Sequence, residues 1–126
     1  MMQPSEIIAV KVLPTIRAQL AKILLRDYHL RQVEVARRMG ITQAAVSHYN
    51  TRDKTLDHEL LQTFPEIEAS MTELAAKVAK GLSITGQVAA IEKLCKELTK
   101  TERFCAYHRR FSSIDSQCQI CMPAKT

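Results

Sequence analysis

The sequence predicts an all-α fold. Gly and Pro number only three and four in 126 residues, too few for a turn-rich β architecture. Apolar residues recur every three or four positions along most of the chain, the spacing that gathers one buried stripe on a helix. They make up 46% of the residues, enough for a modest core in one domain or one small domain with an appendage. The pattern divides the chain into a helix-turn-helix domain over 1–58, a helical segment over 59–98 and a short cysteine-rich tail over 99–126.

The first stripe is Ile8, Val12, Ile16, Leu20, Ile23 and Leu24. Pro14 falls inside it, so a kink or two helical pieces are expected there. Residues 32–51, QVEVARRMGITQAAVSHYNT, come next and are the most informative. Ala36 is small where two helices cross closely, and Gly40 stands at the turn, where a positive φ is cheap for glycine alone. Val35, Met39, Ile41, Val46 and Tyr49 supply the apolar contacts between the two helices. Thr42 is placed to cap the second helix, which leaves Gln43, Ala44, Ser47 and His48 outward. Short or hydrogen-bonding side chains on that face suit readout of base edges in a major groove. Arg37, Arg38, Arg52 and Lys54 flank it as candidate phosphate contacts. The competing reading is an αα-hairpin used for packing or protein contacts, but the small residue, the glycine and all five apolar positions agree at once.

Residues 20–54 resemble the helix-turn-helix of phage repressor and Cro-like regulators. More narrowly, LPTIRAQLAKIL through GITQAAVSHY is similar to a group of small archaeal regulators predicted to act in transcription. In that group such a domain is followed by a short C-terminal cysteine cluster, which FCAYHRR and CQIC match here, so the likeness spans most of the chain. It implies a sequence-specific binder of double-stranded DNA.

Beyond a polar loop over 50–57, one helix is expected near 66–80, with Ile67, Met71, Leu74 and Val78 on one face and Gly81 as its stop. A second runs over 87–98 through Val88, Ile91, Leu94 and Leu98. Little else in so short a chain is available to cover these faces. Paired half-sites roughly 34 Å apart require a two-fold partner, so 59–98 is assigned to homodimerisation. The alternative is that both helices fold back on the first domain.

All four cysteines, Cys95, Cys105, Cys118 and Cys121, fall in the last 32 residues. Clustered thiols in a reducing compartment point to metal or redox chemistry rather than disulfides. A tail without apolar periodicity also needs something other than a core to order it. With all four as thiolate ligands the centre is an iron–sulfur cluster, to which the irregular nine-residue gap and a helix-borne first ligand are suited. With His108 replacing Cys95, Cys105-x2-His108 and Cys118-x2-Cys121 make a Cys3His zinc site, and four thiolates also bind zinc. A third reading leaves the thiols as packing or redox residues. A centre following the dimer helices is expected to sense redox state or metal.

Charge is spread unevenly. Residues 1–58 carry nine Lys/Arg against five Asp/Glu, residues 59–98 four against six, and residues 99–126 five against two. A basic head before an acidic middle fits a phosphate-facing module joined to an association module. No run approaches the roughly 18 uninterrupted apolar residues of a membrane span, because Lys11, Arg17, Lys22 and Arg26 break the first stripe. With no signal-peptide pattern either, the expected location is cytoplasmic. No nucleophile–base–acid set, glycine-rich phosphate loop or paired carboxylate site stands out, so the expectation is a non-enzyme without a small-molecule substrate. Ser47 and His48, adjacent on a helix, point apart and cannot form a dyad.

Overall fold

A computed structural model describes residues 2–51 and 57–111, and all its regular elements are helical. Helix α1 (Pro4–Ile7) passes through a π-helical segment (Ile8–Val12) into α2 (Leu13–Asp27). The wide turn is the response to Pro14. In an α-helix its ring would press on the carbonyl four residues back. Here the Leu13 N–H bonds five residues back to Ile8 O, which enlarges the turn without ending the helix.

The remaining helices are α3 (Gln32–Met39), α4 (Gln43–Thr51), α5 (His58–Thr63), α6 (Pro65–Ala79), α7 (Ile84–Thr99) and α8 (Glu102–Arg109). Their starts carry the expected chemistry. Asp57 accepts from Leu60 N at 3.0 Å, Ser83 from Gly86 N at 3.1 Å and Thr101 from Phe104 N at 3.2 Å. Pro65 opens α6, where its missing N–H costs nothing. Gly81, at φ 105°, ends that helix, with Leu82 N–H returning to Lys77 O at 3.0 Å.

Helix α2 is the axis of the core and buries Ile16, Leu20, Ile23 and Leu24. Helix α6 lies along it, and α3 and α4 also pack on it. One expectation is corrected here. The apolar face of α6, read as a dimer surface, lies inside the monomer: Ile67, Met71, Leu74, Ala75 and Val78 are all buried against the rest of the chain. One apolar cluster joins Leu24, Ile67, Leu98 and Phe104, residues drawn from all three stretches of the chain.

The tail is likewise not devoid of core residues up to Phe111. Helix α8 buries Phe104, Tyr107 and His108. Tyr107 meets Phe64 edge-on at 6.1 Å between centroids, and its hydroxyl donates to Asp57 Oδ2 at 2.9 Å. Burial and that carboxylate hold the phenol above its usual range. Around this apolar contact Arg103 pairs with Glu66, Arg110 pairs with Glu59, and Lys11 stands over the Phe111 ring at 4.6 Å. No helix of the described residues is long and apolar enough to cross a membrane.

Candidate nucleic-acid interface and the cysteines

Helices α3 and α4 are joined by residues 40–42. Gly40 adopts φ 68°, and the Ile41 N–H bonds back to Ala36 O at 3.0 Å, closing the end of α3. The positive φ is what calls for glycine; the end of the Ile84 side chain lies against this turn, 2.7 Å from where a Cβ would stand, and would have to swing aside for one. Val35, Ala36, Met39 and Val46 are buried, while Ile41 and Tyr49 pack partly buried against the same core. Thr42 Oγ1 accepts from Ala45 N at 3.1 Å, the N-cap its position predicts.

Gln43, Ala44 and His48 are exposed on α4, and Ser47 is half-buried. Asn50 is also exposed. It follows Gln43 and Ser47 at helical spacing, so it extends their row by one turn. That spacing is legible in the sequence, although the polar stretch over 50–57 reads as a loop; α4 continues through Thr51.

The two arginines of α3 are not equivalent. Both reach Glu34, but the Arg37 side chain is 69% exposed and that of Arg38 only 25%. Arg38 Nη1 also donates to Val78 O at 3.0 Å and Ala79 O at 2.8 Å, satisfying carbonyls at the end of α6. Gln87, buried on α7, donates from Nε2 to Arg38 O at 2.7 Å and Leu82 O at 3.2 Å. Arg38 thus belongs to a polar clasp that fixes α3 to α6 and α7, and the candidate phosphate contact that remains in α3 is Arg37. Hydrogen bonds from Arg37 and then Arg38 lower the Glu34 carboxyl to about 2. Arg52 and Lys54 lie outside the described residues.

Of the candidate metal ligands, Cys118 and Cys121 are also outside the described residues. Cys95, on α7, is buried in the core. Burial, then Glu92, pushes its thiol up to about 11, and Arg17 only partly opposes this. Without a metal this surrounding favours the protonated thiol, which packs as a small apolar group. Cys105 is half-buried on α8. His108 is buried, stacked on Phe104 at 6.4 Å, with Nε2 2.6 Å from Met2 O. A carbonyl only accepts, so that nitrogen carries the proton and is committed to the N-terminal segment. Among the described residues no group of three or more His, Cys, Asp or Glu is gathered as for a metal ion.

Compared with family models, curated proteins and solved structures, the chain matches none.

Proposed function

We propose that the chain is a sequence-specific regulator of transcription that lays α4 in the major groove of double-stranded DNA. One observation carries the reading. Two short helices meet at a left-handed glycine, and the second, capped by Thr42, presents Gln43, Ala44, Ser47, His48 and Asn50 while its opposite side is anchored by buried Val46. The basic first domain, with exposed Arg37 on α3 and with Arg52 and Lys54 following α4 in the sequence, supplies the attraction to phosphate. The likeness to repressor-type regulators points the same way, and it calls for a homodimer on paired half-sites.

Selection from random-sequence duplexes, followed by gel shift in excess non-specific competitor, tests this directly. Gln43→Ala is expected to cost about 1–3 kcal/mol on the selected site and to relax one base position. Retention of full affinity by both Gln43→Ala and Ser47→Ala would show that α4 does not read DNA. Binding that any competitor abolishes would favour the other reading, a helical scaffold with a structural zinc site.

The tail adds a metal centre to the proposal, with Cys105, Cys118 and Cys121 as thiolates. Iron–sulfur chemistry would make it a redox sensor, and zinc would make it a structural clip. Its fourth ligand divides the options, because Cys95→Ser destroys a four-thiolate centre while His108→Ala destroys a Cys3His one. Metal analysis of anaerobically purified protein that finds neither iron nor zinc near one centre per chain would remove the centre altogether.

A further inference from the structure

We infer that a second copy of this chain seats on the strip Ile84, Val88 and Ile91 of α7 and on the groove beside it. This names the location of the dimer that the DNA-binding reading requires, and it moves that contact away from α6. The strip has successive spacings of four and three residues, the seam by which helices pair. Ile84 is 47% and Val88 60% exposed, while α6 and the lower half of α7 bury their large apolar side chains. Next to the strip is a largely apolar groove of about 150 Å3, floored by Leu20 and Met39. A cavity of roughly this size admits a benzene-sized group, so it has room for one aliphatic side chain from an opposing helix.

The rim decides the occupant. Arg17 and Glu92 both line the groove and both are exposed. Neither has an ion-pair or hydrogen-bond partner among the described residues. In a two-fold contact each copy presents the surface it receives, so a rim with one cation and one anion complements itself. Arg17 of one copy meets Glu92 of the other, and the exchange occurs twice. A nucleic-acid strand would be repelled by the carboxylate and would leave the apolar strip wet. Because Met39 and Ile41 also line the groove, the contact abuts the turn leading into α4 and fixes how far apart two such helices lie.

Light scattering and sedimentation equilibrium on the full chain test this. The unmodified protein is expected to dimerise at micromolar concentration. Val88→Lys, at a position largely in water in the monomer, is expected to keep its helicity and raise the dimer Kd on the order of 100-fold. Arg17→Glu and Glu92→Arg are each expected to weaken the dimer about tenfold, and the double variant to recover most of the loss. The inference is overturned by a monomeric unmodified protein, by a dimer indifferent to Val88→Lys, or by a double reversal no tighter than the weaker single. The gel shift is read separately. A dimer with this behaviour and no DNA affinity would leave the interface standing and defeat the DNA reading, whereas a monomer that binds selected DNA would do the reverse.

Discussion

Helices α6 and α7 are nearly equal in length, at 15 and 16 residues, and both are amphipathic, yet the chain treats them differently. Helix α6 lies along α2, whose own apolar stripe runs beside it, so its whole face is covered from Ile67 to Val78. Helix α7 touches α3, α6 and α8, but α6, the one long helix among these, packs chiefly along α2. It buries Leu94, Cys95 and Leu98 and leaves Ile84 and Val88 in water. An apolar stripe states that a helix needs a cover. Which cover it finds depends on whether another stripe of matching length lies within the same chain.

The largest effect expected from this contrast comes from placing the same charge on each helix. Leu74→Asp puts a carboxylate into the α6 core and should destabilise the monomer by more than about 4 kcal/mol, enough to leave little folded protein. Val88→Asp should change monomer stability by no more than about 0.5 kcal/mol. Urea denaturation followed by circular dichroism reads both. Comparable losses would mean that α7 is covered within the monomer and that the contrast is wrong.

A second substitution asks whether α8 belongs with the covered elements. Phe104 is fully buried in the same core as Ile67 and Leu98. Phe104→Ala is expected to cost about 3–5 kcal/mol, a core-sized penalty from a position in the C-terminal tail. An unchanged denaturation midpoint would return α8 to the status of an appendage.

The smallest effect lies in the clasp between α3 and α6. Glu34 has its carboxyl lowered from an ordinary 4.5 to about 2, so its contribution is complete above 4.5 and is lost as pH falls through about 2. Thermal midpoints should therefore decline across that acid window, and Glu34→Gln should flatten the decline. The group is open to solvent, which keeps the change modest. Identical acid slopes in the two proteins would show that Arg38 holds α6 without help from the carboxylate.

Much of this was legible before any coordinates. The α3–α4 turn, the Thr42 cap and the helix over 65–79 follow from local chemistry that acts within four residues. Helix α7 starts three residues before the expected Gln87, because the Ser83 side chain caps it. Helix α8 was hidden because Glu102, Arg103, Arg109 and Arg110 surround its apolar residues. Even so, Phe104, Tyr107, His108 and Phe111 stand at helical spacing. The role of Arg38 could not be read from sequence at all, since its acceptors are backbone carbonyls forty and forty-one positions away. The same holds for Cys95, whose burial depends on which helices close over it.

The hydroxyl of Tyr107 on Asp57 has a practical side for anyone cutting this gene. Asp57 caps α5, follows the segment bearing Arg52 and Lys54, and donates its backbone N–H to Thr15 Oγ1 of α2, 3.3 Å away. A fragment ending at residue 58, the natural choice for isolating the first domain, strips the phenol from Asp57 and the whole of α6 from α2. It should be recovered as an insoluble or protease-sensitive product. A fragment that keeps these contacts must run at least through Phe111, and one that tests the proposed metal centre must also carry Cys118 and Cys121.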